Sequence, residues 1–198
     1  MNEKFANPSP LGLMGFGMTT VLINLHNTGL FELNSMILAM GLFYGGITQI
    51  IAGLMEYKRG NTFGVTAFIS YGVYWLSLMF LLLMPRWGWE NNADSLSMGF
   101  YQLIWGVFTF FMFWGTLKNA KVLQFVFVTV DLLFFLLATK EFTGNSHIGY
   151  IVGIDGIICG SAAIYLAMGE VLNETYGRTI LPIGEFRERK NSTIYVNG

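Results

Sequence analysis

Six long apolar runs, at 11–25, 36–57, 63–84, 98–117, 122–139 and 148–168, take up most of this 198-residue chain and constrain its fold more than any other feature. A helix needs about 20 mostly apolar residues to cross a hydrocarbon layer of about 30 Å. Inside lipid every backbone N–H and C=O has to be satisfied within its own segment, so apolar runs of this length fold as helices. The breaks between them carry turn chemistry: His26-Asn27-Thr28-Gly29, Lys58-Arg59-Gly60-Asn61, the stretch 85–97 with Pro, Gly and Asn, Lys118-Asn119, and 140–146 with Gly-Asn-Ser. The pattern reads as an all-α membrane protein of six transmembrane helices, one domain over 1–198 with a polar tail at 173–198 that lies on the membrane surface or is loosely ordered.

Charge supports the same solvent. Only 12% of residues are charged while 54% are hydrophobic, against about 25% and about 45–50% in an average soluble domain. A water-facing globule built from this composition would expose wide apolar patches. A net charge of −1 offers no cationic face for phosphates, so no nucleic-acid partner is expected. The single cysteine, Cys159, excludes an internal disulfide. No Gly-x-Ser-x-Gly elbow, metal-ligand cluster or nucleophile-base pair occurs, and the two histidines, His26 and His147, fall at run ends, so neither an enzyme nor a bound metal or cofactor is expected.

Orientation follows from the cations. Lys4, Lys58, Arg59, Lys118, Lys121, Arg178, Arg187, Arg189 and Lys190 fall on one side of a six-span arrangement, and Arg86 and Lys140 on the other. Cytoplasmic loops keep positive charge during insertion, so both termini are expected in the cytoplasm. The first run opens with Pro8 and Pro10 and lacks a basic leader or small-residue cleavage site, and reads as a retained helix.

Within the runs, Gly12 and Gly15, Gly41 and Gly45, Gly149 and Gly153, and Gly156 and Gly160 recur at helical spacing, which lets backbones approach closely in lipid. Polar groups occur in all six: Thr19, Thr20 and Asn24; Thr48 and Gln49; Ser70, Tyr71, Tyr74 and Ser77; Gln102 and Thr109; Gln124, Thr129 and Asp131; Asp155, Ser161 and Tyr165. They form either a narrow polar path for a small solute or bonds between neighbouring helices, because an unpartnered polar group in hydrocarbon costs several kcal/mol. Asp131 and Asp155 have no mid-span Lys or Arg to pair with. Asp131 either lines a wet vestibule, stays protonated, or meets a charge from another subunit. Asn7 followed by Pro8 and Pro10 starts a helix whose N-terminal N–H groups face the cytoplasmic mouth, which serves either as a cap alone or as an attraction for a carboxylate.

The run Asn7-Pro8-Ser9-Pro10-Leu11-Gly12-Leu13, continued by Met14-Gly15-Phe16-Gly17-Met18-Thr19-Thr20, resembles the signature of the acetate uptake transporter family. Blocks at 38–49 (LAMGLFYGGITQ), 56–64 (EYKRGNTFG), 105–110 (WGVFTF), 121–127 (KVLQFVF) and 167–178 (AMGEVLNETYGR) extend the resemblance along the chain. It implies a homohexamer of six-helix protomers in the cytoplasmic membrane. Each protomer would have its own pore for acetate, related small carboxylates and succinate, moved with protons or through an anion-channel-like path. It also implies a constriction at Phe16, Tyr71 and Val130, with Asn7, Thr19, Thr20, Asn24, Gln49, Gln124 and Asp131 along the substrate path. Close relatives carry Leu at the place of Val130, so the neck is expected to be wider by about a methylene; at Asp131 they carry a neutral residue. The rival expectation is a channel for a neutral solute such as urea or a short amide.

Overall fold

The computed structural model describes residues 5–88 and 92–185, all helical or connecting. Lys4, Arg187, Arg189 and Lys190 of the orientation argument, and the tail beyond 185, lie outside the described residues. The helices are α1 (Ser9–Asn27), α2 (Ser35–Ala39), a π-helical segment (Met40–Thr48), α3 (Gln49–Lys58), α4 (Thr62–Leu83) closed by a 3₁₀ turn (Met84–Trp87), α5 (Ser95–Gly115), α6 (Lys121–Thr143) and α7 (Ser146–Tyr176).

Short polar side chains set the starts. The Asn34 side chain accepts from the Met36 and Ile37 N–H groups, Asn61 from Gly64 N at 3.1 Å, Asp94 from Ser97 N at 2.7 Å and Asn145 from His147 N at 2.9 Å. α6 and α7 stop at Gly144 (φ +64°) and Gly177 (φ +62°), left-handed positions where a glycine carries no Cβ penalty. At α1 the cap differs from expectation: the capping position is Pro8, and the Asn7 side chain reaches only Ser9 N, at 3.3 Å, while its other contacts leave the helix.

α2, the π segment and α3 form one continuous rod over Ser35–Lys58. The π turns widen the rod where three glycines press on α4: a Cβ at Gly41 would meet the Met79 side chain, one at Gly45 the Trp75 ring and one at Gly46 Leu76. The Thr19 hydroxyl donates to the Met40 carbonyl at 3.3 Å, and Thr48 to Phe43 at 2.9 Å.

Among the described residues, five helices are long and apolar enough to cross a membrane: Ser35–Lys58, Thr62–Trp87, Ser95–Gly115, Lys121–Thr143 and Ser146–Tyr176. α1 is not among them, because the buried Thr19, Thr20 and Asn24 dilute its apolar content. It packs along α7, the π segment and α3 instead. The rods run round the bundle as Ser35–Lys58, α4, α5, α6, α7, α1 and back to the first.

The α4–α5 seam has the sparsest backbone approach in that ring, and large side chains bridge it. Tyr71 Oη lies 2.9 Å from Thr109 Oγ1, Tyr74 Oη donates to Gln102 Oε1 at 3.2 Å, and Ser77 Oγ lies 2.7 Å from Tyr101 Oη. The Tyr74 ring stacks on Tyr101 with centroids 5.7 Å apart. Thr109 keeps a bond to the Trp105 carbonyl when Tyr71 is lost, whereas Gln102 loses the donor to its buried oxygen when Tyr74 is. Tyr71→Phe is therefore expected to cost about 1 kcal/mol and Tyr74→Phe about 1–3 kcal/mol, read as denaturation midpoints in detergent.

The expected tail at 173–198 begins inside α7, which runs on to Tyr176. Beyond it, the Asn173 side chain accepts from Ile180 N and Leu181 N and donates to the Leu181 carbonyl. Ile183 is buried over Gly169, and the Gly184 and Ile183 carbonyls take the first N–H groups of α6. Residues 173–185 are thus packed as a strap, not loosely ordered, because the start of α6 needs acceptors that no side chain supplies.

Candidate functional site

Two cavities open towards opposite ends of the bundle, and Phe16 and Val130 are the residues that border both. The first, of about 190 Å³, is edged by Ser9, Gln49, Glu56, Asn61, Asn119 and Glu170 among apolar walls that include Phe63, Phe127 and Tyr71. The second, of about 180 Å³, is edged by Thr20, Asn24, His26, Tyr74, Trp75, Gln102, Lys140 and Glu141. At ~30 Å³ per water each has room for about six.

The divide is hydrophobic and tightly held. Phe16 is 9%, Tyr71 5% and Val130 2% exposed. The Tyr71 ring stands 6.2 Å from Phe16, 5.6 Å from Phe108 and 6.2 Å from Phe127, centroid to centroid, and is stacked on Phe134 at 6.5 Å. Such ring-on-ring packing fixes the orientation of each member.

On either side of the divide stand buried polar atoms with no hydrogen-bond partner in the protein: Gln49 Oε1 and Glu56 Oε1 at the first cavity, Thr20 Oγ1 and Trp75 Nε1 at the second. Orphaned groups of this kind cost free energy unless water or a solute meets them. Both cavities are therefore built to hold something polar behind apolar walls.

A ring of polar side chains closes the open end of the first cavity. Glu170 accepts from Asn7 Nδ2 at 2.8 Å and from Ser9 Oγ at 3.3 Å; Glu56 accepts from Asn61 Nδ2 at 2.9 Å and faces Arg59 at 3.5 Å; and Arg59 donates to Asn7 Oδ1. These bonds tie the starts of α1 and α4 to the end of α3 and to α7. At the far end, Lys140 and Glu141 lie 3.8 Å apart at the second cavity.

Of the residues expected on the substrate path, Phe16, Tyr71, Val130 and Gln49 border the first cavity, and Thr20 and Asn24 the second. The other four border neither. Thr19 is fully buried and spends its hydroxyl on Met40. Gln124 caps the end of α5, donating to the Thr116, Leu117 and Asn119 carbonyls while accepting from Lys121. Asn7 sits in the polar ring outside the first cavity. Asp131 Oδ1, like Asp155 Oδ2, is buried without a partner away from both cavities. An Asp at the centre of a spanning helix costs about 2.5–3.5 kcal/mol on insertion scales, so Asp131→Leu is expected to raise the thermal midpoint in detergent.

Glu56, Glu170 and Trp75 are site-edge residues that the sequence does not single out. The two acids fall at the ends of apolar runs, where a carboxylate ordinarily signals water, and Trp75 reads as plain core.

The family model described as "GPR1/FUN34/yaaH family" matches residues 1–187. The succinate-acetate/proton symporter SatP of Escherichia coli K12 is 62% identical over 184 residues, 93% of this chain and 98% of its own length. The yeast Saccharomyces cerevisiae ammonia transport outward protein 2 is 35% identical over 173 residues, 83% of this chain and 61% of its own. A solved structure described as the bacterial acetate channel SatP superposes with a TM-score of 0.90 at 62% identity, covering 91% of this chain and all of that one.

Proposed function

The chain belongs to the GPR1/FUN34/yaaH family, and we propose that it carries acetate and succinate, with protons, across the cytoplasmic membrane through the two cavities and the neck between them. The observation that carries this reading is the pair of cavities divided at Phe16 and Val130, each edged by polar atoms the protein leaves unsatisfied. The 62% identity to a symporter named for succinate and acetate, over 93% of this chain, supplies the cargo. In this reading Phe16, Tyr71 and Val130 form the constriction, Gln49, Thr20 and Asn24 meet the solute on either side, both termini face the cytoplasm, and six protomers assemble.

The chemistry of the neck favours cotransport. A bare carboxylate entering a passage walled by Phe16, Tyr71 and Val130 gives up hydration that neutral donors restore only in part. As the uncharged acid it loses far less. A proton moving with the substrate therefore lowers the barrier at the place where water is excluded.

Purified protein in proteoliposomes is expected to concentrate labelled acetate when a pH gradient, acidic outside, is imposed, and only to equilibrate it without one. Excess urea is expected to leave the uptake unchanged. Equal acetate entry into protein-free vesicles, or full competition by urea, would sink the reading.

A further inference from the structure

We infer that Glu170, backed by Glu56 and Arg59, is the group that exchanges the transported proton with the substrate at the end of the first cavity. The inference rests on the transport reading above and adds to it a residue and a step.

Three observations carry it. Glu56 and Glu170 both border the first cavity, and Arg59 is the cation bonded into their ring. Two carboxylates around one guanidinium leave one negative charge uncompensated, which is costly where the groups are largely withdrawn from water. Glu56 is fully buried, and its Oε1 has no hydrogen-bond partner, with Arg59 held 3.5 Å off by its bond to Asn7. One proton held in the ring removes the excess charge.

Second, the ring accommodates that proton without rebuilding. Glu170 Oε1 accepts from the Ser9 hydroxyl. A hydroxyl donates or accepts by rotation, so a protonated Glu170 donates to Ser9 Oγ with the same atoms in place. Third, the position suits the chemistry: a carboxylic acid that has crossed the neck reaches this ring before open water.

The step balances. The substrate O–H bond breaks, its electron pair stays on the substrate carboxylate, and a new O–H bond forms on Glu170, which is then neutral. The substrate anion leaves by the cavity mouth, and Glu170 releases the proton to water. The other titratable and charged groups facing the pair are few. Tyr71 lines the same cavity from α4, and the lining residues of α1 and α6 include no ionisable side chain. On the outward side of Glu170, Glu174, Arg178 and Glu185 edge a shallow depression.

The test uses the full chain in proteoliposomes, with labelled acetate, in wild type, Glu170→Gln, Glu170→Asp and Glu56→Gln. Glu170→Gln is expected to reduce gradient-driven accumulation to simple equilibration and to flatten the pH profile of acetate exchange. Glu170→Asp restores both. Glu56→Gln, which removes the neighbouring negative charge, is expected to move the acidic limb of that profile to lower pH. Wild-type accumulation and pH profile in Glu170→Gln overturn the inference. So does an equal fall in accumulation and exchange with an unchanged profile and no rescue by Asp, which marks the ring as a structural tie. Wild type that equilibrates acetate without ever concentrating it leaves acetate passage standing but overturns the proton coupling and, with it, this inference. Wild type that moves no acetate overturns the transport reading and this inference with it.

Discussion

Val130→Phe is expected to slow acetate uptake in proteoliposomes about 5–150-fold while the protein still purifies as a folded membrane protein, and Val130→Leu is expected to lower lactate uptake relative to acetate. Val130 is 2% exposed and, with Phe16, forms the divide between the two cavities. There is no slack beside it, because the Tyr71 ring opposite is fixed by Phe16, Phe108, Phe127 and Phe134. A ring added at Val130 projects into the gap that a solute must use. Forcing extra volume into a packed site costs about 1–3 kcal/mol, and a barrier raised by that much slows passage about 5–150-fold. Leucine adds a single methylene. Discrimination by one methylene in an apolar pocket is worth about 10–200-fold, so the lactate-to-acetate ratio is expected to fall by about tenfold. Unchanged acetate entry in Val130→Phe, or an unchanged ratio in Val130→Leu, would remove Val130 from the neck.

The helices were legible in the sequence because a membrane allows apolar runs few alternatives. The ends drifted where local chemistry is silent. The run at 148–168 continues to Tyr176 because Gly177, not the last apolar residue, ends α7. The π segment was not legible: nothing in its residues distinguishes it from an α-helix until α4 is laid against Gly41, Gly45 and Gly46. The site was half legible. Phe16, Tyr71 and Val130 came through resemblance; all three border the first cavity, and Phe16 and Val130 the second as well. Polarity alone misjudged Thr19 and Gln124, since a residue type does not say whether its hydroxyl or amide is already spent on a neighbouring carbonyl. The same blindness hid Trp75, whose Nε1 becomes informative only once the structure leaves it without a partner beside a cavity.

The largest effect on folding is expected at the α1–α7 crossing. A Cβ on Gly17 would lie 2.7 Å from the Gly160 carbonyl oxygen, and a Cβ on Gly160 would lie 2.6 Å from that of Gly17. Both obstacles are backbone, so no side-chain rotation relieves either, and the helices have to move apart along their whole contact. In lipid that contact is held by close van der Waals packing with no hydrophobic drive to replace it. Gly17→Ala and Gly160→Ala are each expected to cost about 1–3 kcal/mol, and leucine at either place is expected to prevent folding. The double alanine variant should lose less than the sum, because a separation that admits one methyl admits most of the second. Gly149→Ala is the control. Its nearest neighbour is the Lys140 side chain at 3.7 Å, and exchanging a helical glycine for alanine there is expected to be neutral or to stabilise by up to about 1 kcal/mol. Thermal midpoints in detergent check the four alanine variants, and equal midpoints for Gly160→Ala and Gly149→Ala would refute the crossing. The crossing also reaches the neck. Phe16 precedes Gly17 on α1, so an alanine variant that folds has its α1 displaced from α7 and Phe16 shifted against Tyr71. Gly17→Ala is accordingly expected to relax the lactate-to-acetate ratio, opposite in sign to Val130→Leu.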